Sequence, residues 1–302
     1  MPGILLLAHG GPSSLDEIPG FLEQVRGGRP YSEEQLNKVR EKYRLIGGAS
    51  PLPAITYRAA EMLEAVCEIP VYVGMLHWHP FIEDVVSQMA ADEVSDALVI
   101  CLSPYYSDIS VGRYRRKTQA AADRHGLAFS FVDSWGTLPS HVEGLAGSVI
   151  ASWQELGPAS EATAHVVFSA HSLPRAALSP EDTYESQLRA TAAAVAQRLG
   201  IPEGRWTLAY QSMGERAEEW LGPSVEDVIH QLAERGVRQA VICPFGFLAD
   251  QVEILYDLDI VMKQKAKELV VQLVRAPLLN DGQALIDSLA TLVRQWRYEQ
   301  VA

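Results

Sequence analysis

The chain has 302 residues, 48% of them hydrophobic and 21% charged, with a formal net charge of −13. That length accommodates one large domain or two of about 150 residues each, either with a proper core. The acidic balance excludes a general nucleic-acid binder, which needs a basic face for phosphates, so any anionic ligand must be met by local cations. Three scattered cysteines, Cys67, Cys101 and Cys243, form neither a disulfide framework nor a CxxC metal site.

In chain order, the opening MPGILLLAHGG carries a short apolar run with no basic flank, unlike a signal peptide. No apolar stretch reaches the roughly 20 residues that span a bilayer. A soluble, cytoplasmic protein is expected. Strands are predicted at 3–8, 70–74, 97–103 and 127–132, then at 164–169, 206–210, 239–244 and 269–274. Near-continuous apolar strands alternating with amphipathic helices indicate parallel sheets covered on both faces. Ser14-x-x-Glu17 reads as a capping box ahead of Ile18, Leu22 and Val25. Ser32-x-x-Gln35 opens a second helix carrying Leu36, Val39 and Tyr43, which Gly47 and Gly48 end.

The chain repeats itself. LLLAHGGP, ending at Pro12, and VVFSAHSLP, ending at Pro174, both run from an apolar strand into Ala-His-x-x-Pro. Residues 80–97 and 223–240 share eight of eighteen positions, and each segment leads into a strand and a proline. Two halves of similar architecture follow from this. Eight strands could also close into a (β/α)8 barrel, but matched half-chains fit two open four-stranded sheets facing a cleft better. The expected fold is therefore α/β, with two similar Rossmann-like domains over 1–137 and 138–302. A last helix over about 281–299 is free to pack back on the first domain.

Ligands of open parallel sheets bind beyond the carboxyl ends of the strands. His9 and His171 are both expected there. After the seventh strand, Asp250, Glu253 and Asp257 fall at helical spacings of three and four, predicting one acidic face. The first half has Val111 at about the place of Glu253, so only the second half pairs a strand-end histidine with a carboxylate. Ser103, Tyr105, Tyr106 and Ser107 follow the third strand, and the basic run after them supplies Arg113, Arg115, Arg116 and Lys117. These cations, with Arg26 and Arg29, are places for an anion to dock. His77 and His79 of HWHP have a spacing compatible with metal, although two ligands do not make a site. Neither Gly-Gly pair matches a nucleotide fingerprint.

SAHSLP, YRLIGGASPL, YQS followed by WLGP, and GFLADQVEILYDLD occur in one order along nearly the whole chain. Together they resemble the signature run of the ferrochelatases, which insert ferrous iron into a porphyrin late in haem synthesis. The resemblance implies two similar domains with the macrocycle in the cleft between them. It implies His171 and Glu253 as the catalytic and metal-handling pair, His171 as base or metal ligand and Glu253 as proton relay. It also implies His9 as a porphyrin contact and candidate axial ligand, where Bacillus-type members carry a tyrosine. Arg26, Arg29, Tyr43, Ser50, Tyr105, Ser110, Gln211, Ser212 and Trp220 are implied as porphyrin contacts. Val261 stands where those members carry a further acid, and Leu76 where they carry a lysine. No cysteine follows Cys243, so no iron–sulfur cluster is expected, and iron enters as substrate rather than as a resident cofactor. The expected partners are a porphyrin and Fe2+, with a transient haem acceptor or iron donor; a monomer is favoured. Likeness to the Bacillus type leans the substrate towards coproporphyrin III over protoporphyrin IX. A cobalt or nickel chelatase acting on a related tetrapyrrole, or a porphyrin or haem carrier without catalysis, are the alternatives.

Overall fold

The computed structural model describes residues 1–214 and 219–301. The first half runs β1 (Pro2–Ala8), α1 (Ile18–Arg26), α2 (Glu33–Leu45), α3 (Leu52–Cys67), β2 (Val71–Met75), α4 (Ile82–Ala91), β3 (Asp96–Cys101), α5 (Val111–His125) and β4 (Ala128–Val132). The second runs α6 (Pro139–Leu156), α7 (Ser160–Thr163), β5 (His165–His171), α8 (Tyr184–Arg198), β6 (Trp206–Gln211), α9 (Val225–Glu234) and β7 (Gln239–Cys243). It ends with α10 (Val252–Leu255), a π-helical turn (Asp257–Met262), α11 (Lys263–Glu268), β8 (Gln272–Arg275) and α12 (Gln283–Val301).

The two sheets are four-stranded, parallel and ordered alike, β2-β1-β3-β4 and β6-β5-β7-β8. The strands are open sheets rather than a barrel. Their apolar continuity has the expected cause: Ile4, Leu5, Leu6 and Leu7 of β1 are all fully buried, because helices cover both faces. The repeated segments fall on equivalent elements, 80–97 on α4 leading into β3 and 223–240 on α9 leading into β7.

Two local expectations are resolved differently. Ser32 and Gln35 form the reciprocal capping box of α2, whereas Ser14 caps nothing with its side chain. Glu17 instead accepts the backbone N–H of Ser13 at 2.7 Å and the indole N–H of Trp78 at 3.0 Å. Its carboxylate thereby ties the entry of α1 to the HWHP loop. The second half of the chain also does not stay on its own sheet. On α12, Leu285, Ile286, Leu289 and Val293 share one core with Ile4, Leu6, Leu63 and Met75. An amphipathic helix goes where its apolar stripe is best covered, and here that is between α3 and α6.

Candidate active site

In each sheet the strand order reverses beside the first strand, between β1 and β3 and between β5 and β7. Loops leaving neighbouring strands in opposite directions open a crevice at that point. His9 follows β1 directly, and His171 is the last residue of β5. Both line one cavity of about 310 Å³ between the halves, together with Ser110 and Glu253.

The two histidines use the same local device. Nδ1 of His171 lies 2.5 Å from the carbonyl of Ser172, and Nδ1 of His9 lies 3.2 Å from the carbonyl of Gly10. A carbonyl only accepts, so Nδ1 carries a proton in both rings, and in the neutral imidazole it is Nε2 that keeps the lone pair. The Tyr184 hydroxyl donates to the His171 carbonyl at 2.9 Å and fixes the end of the strand.

Their surroundings differ. Nε2 of His171 faces Oε2 of Glu253 at 3.7 Å. That oxygen is shielded from solvent and has no hydrogen-bond partner, which leaves it ready for a proton or a cation. Glu253 reaches this place because the loop after β7 passes directly over the end of β5. The Gly246 N–H donates to the Ser169 carbonyl at 3.1 Å, and a Cβ on Gly246 would stand 2.5 Å from that of Ala170. Only glycine permits that approach. Behind Glu253, the Gln211 amide donates to the Glu253 carbonyl at 3.2 Å and accepts from the Ser169 hydroxyl at 2.8 Å.

His9 instead has a second imidazole beside it. The rings of His9 and His77 are 4.7 Å apart at their centroids, and the His77 backbone N–H donates to the His9 carbonyl. Burial pushes the His77 pKa down to about 3, helped by the charges of His9 and Arg113. Desolvation by the surrounding cleft also lowers that of His9, although its side chain is open to the cavity. Both rings are therefore neutral near pH 7. His79, the other histidine of HWHP, packs against Phe81 at 4.4 Å, so these two do not form a metal pair.

The acidic face expected over Asp250, Glu253 and Asp257 divides among three partners. Asp250 precedes the helix, since the N-cap is Gln251 in an extended conformation. It pairs with Arg275 at 3.3 Å and Asn280 at 3.0 Å. Glu253 faces His171. Asp257 takes Lys42 of α2 at 3.0 Å and the Ser212 hydroxyl at 3.5 Å. Burial raises the Asp257 pKa against the opposing pull of Lys42, and the charge of Glu253 adds to the rise. Among the described residues, no group of three or more His, Cys, Asp or Glu stands ready as a metal cage.

Ser103 and Arg113 also line the cavity, whereas the remaining porphyrin contacts implied by the resemblance lie around it rather than on its wall. Tyr105 is 1% exposed and packs on Phe245, with ring centroids 5.4 Å apart, so it belongs to the core. Tyr43 is buried with Ile18 and Leu36; burial and the charge of Glu253 both raise its pKa. Ser50 is buried against Gly11, whose Cβ would come within 2.6 Å of its hydroxyl. Gln211 and Ser212 hold Glu253 and Asp257 from behind. Trp220 bridges to Pro174. Arg26 is half-buried and Arg29 exposed, and they bond each other's carbonyls across the 26–30 turn, at 3.3 and 2.9 Å. Sequence reasoning missed Tyr184 as a cavity residue, because no motif marks a helix start that folds back on the β5 end.

The sequence model of the ferrochelatase family matches residues 1–296. A ferrochelatase of Deinococcus radiodurans is 39% identical over 97% of this chain and 95% of that protein. This chain belongs to the ferrochelatase family. It is accordingly a metal-chelating enzyme of tetrapyrrole synthesis. A coproporphyrin III ferrochelatase of Anoxybacillus flavithermus is 38% identical over 96% of this chain and 95% of that protein. Among solved structures, the Bacillus subtilis chelatase SirB with Fe3+ matches at a TM-score of 0.62 and 13% identity, covering 97% of this chain and 94% of SirB. CbiX matches at 0.56 and 16% identity, covering 97% and 98%. At those identities the likeness is one of fold, and it is the two-sheet chelatase fold. Among the described residues, no helix is long and apolar enough to cross a membrane.

Proposed function

We propose that this ferrochelatase-family chain inserts Fe2+ into a porphyrin bound between its two sheets, with coproporphyrin III favoured over protoporphyrin IX. The observation that carries the reading is the pair of His171 Nε2 and Glu253 Oε2, 3.7 Å apart on the cavity wall. The likeness to a coproporphyrin III ferrochelatase at 38% identity supports the choice of porphyrin.

Metallation exchanges two pyrrole N–H protons for one divalent cation bound to four nitrogens, releasing two H+. A base must take each proton as the metal–nitrogen bonds form. His171 suits this, because its Nδ1–H is committed to Ser172 and its Nε2 lone pair is free. Glu253 then accepts the proton from Nε2 and passes it towards Asp257, whose raised pKa suits it to carry one. The same lone pair and carboxylate can hold the incoming iron, since imidazole and carboxylate suit a borderline divalent cation. His9 lines the same cavity from the first half of the chain, and with its Nδ1 turned to Gly10 its Nε2 is available to the metal. Iron is the substrate, and the reaction calls for no iron–sulfur cluster or other resident cofactor. The chain acts as a monomer in the cytoplasm on this reading.

The test is anaerobic ferrous insertion, followed spectrally, on coproporphyrin III and protoporphyrin IX side by side. Faster metallation of coproporphyrin III supports the choice of substrate, and faster metallation of protoporphyrin IX reverses it. Cobalt and nickel in the same assay separate iron chelation from the other metals. Tight porphyrin binding with no metal inserted would leave only a carrier.

A further inference from the structure

The basic run at the start of α5 carries four cations, and three of them are paired. Arg115 meets Asp133 at 2.6 Å, Arg116 meets Asp108 at 2.5 Å and Lys117 meets Glu83 at 3.1 Å. Arg113 is the exception. Its guanidinium makes no ion pair or hydrogen bond among the described residues, and its side chain lines the central cavity. Among the described residues it is the only arginine or lysine on that wall, and Glu253 is the only carboxylate.

An arginine in that place is locally unfavourable. It is the third residue of a 15-residue helix whose first turn holds no acid, so its charge is set against the positive end of the helix dipole. His9 and His77 beside it feel its charge, and it disfavours their protonation. In a chain of net charge −13, a cation that faces the active cavity with no acid of its own is matched to an acid that arrives with the substrate.

We infer that Arg113 anchors a peripheral carboxylate of the tetrapyrrole, on the His9 side of the cavity and away from the His171–Glu253 pair. This rests on the reading of the chain as a porphyrin chelatase and adds a specificity-determining residue to it. The cavity is then polarised. Its first-half wall is positive at Arg113 and receives the acid of the macrocycle; its second-half wall is negative at Glu253 and receives the metal. The planar fork of arginine fits a carboxylate through two N–H groups, so lysine is an incomplete replacement.

The experiment compares wild type, Arg113→Gln and Arg113→Lys in two assays. One is fluorescence titration with metal-free coproporphyrin III and with its tetramethyl ester in detergent. The other is anaerobic ferrous insertion into coproporphyrin III. Arg113→Gln is expected to weaken binding of the tetra-acid and raise its KM by at least about tenfold, through the loss of a charge-assisted contact. Ester binding and kcat should stay near wild type, and Arg113→Lys should fall between. Arg113 is exposed, so thermal unfolding should not move. Unchanged tetra-acid binding in Arg113→Gln, or equal losses for acid and ester, would overturn the assignment. A wild type that binds the tetra-acid but inserts no iron would instead refute the chelatase reading, while the binding comparison still decides Arg113.

Discussion

Gln211 sits directly across the sheet from His171 and holds Glu253 by its backbone. It pairs with His171 in the β5–β6 register, and its amide donates to the Glu253 carbonyl at 3.2 Å. One side chain on β6 thus connects both halves of the candidate catalytic pair, and it does so while only 6% exposed. The resemblance placed Gln211 among porphyrin contacts, whereas its geometry is that of a positioning residue.

Gln211→Ala should therefore lower kcat by about tenfold while leaving KM for porphyrin nearly unchanged, because the carboxylate loses its orientation and not its charge. The same change strands the fully buried Ser169 hydroxyl and should cost about 1–3 kcal/mol of stability. Steady-state kinetics and urea unfolding read the two effects. A raised KM with unchanged kcat would mark Gln211 as a substrate contact instead.

His171→Ala and Glu253→Gln should each reduce metal insertion by about 10²–10⁴-fold, the usual worth of a positioned acid–base group. Porphyrin affinity should survive in both, since neither change removes apolar wall. The double variant should be little worse than either single one, because residues acting as a unit are not additive. Wild-type-like turnover in His171→Ala would sink the pair.

Tyr105→Phe removes a hydroxyl from a ring that is packed on Phe245 and closed off from the cavity. KM and kcat should both stay within about twofold of wild type. A clear rise in KM would return Tyr105 to the porphyrin site.

Acid should destabilise the fold well above the range in which its exposed carboxylates titrate. Burial lowers the pKa of His77 to about 3 and those of His141 and His165 to about 4, from an ordinary 6.5. Between about pH 6.5 and 4 the unfolded chain binds protons that the folded chain refuses. The stability these rings contribute is therefore full above pH 6.5 and is lost as pH falls through that window. Each ring adds up to about 1.4 kcal/mol per pH unit to the slope. His141 is fully buried and both its ring nitrogens lack partners. His141→Leu should flatten the slope between pH 6.5 and 5 without harming stability at pH 7. Urea unfolding across that range measures it, and an unchanged slope would contradict the argument.

Much of this protein was legible before folding was considered. Apolar runs such as ILLL of β1 and VVF of β5 announce buried parallel strands, because a strand covered on both faces has no polar side to show. The repeat of Ala-His-x-x-Pro located both strand-end histidines, and the family motifs named Glu253. Local rules failed where a competing partner lay far along the chain. Ser14 lost its cap role to a carboxylate engaged by Trp78, sixty-one residues away.

What the sequence determined by itself was the set of elements and the chemistry available at their ends, since both depend on period, composition and short-range spacing. Which groups meet was decided by the tertiary structure. Helical spacing put Asp250, Glu253 and Asp257 on one face, but an extended N-cap and a π-turn sent them to Arg275, His171 and Lys42 respectively. Likewise the four cations of the α5 run are alike in sequence. Only the positions of Asp133, Asp108 and Glu83 leave Arg113 unpaired and facing the cavity. Charge pairing acts over a few ångströms of space, and spacing along the chain does not encode that distance.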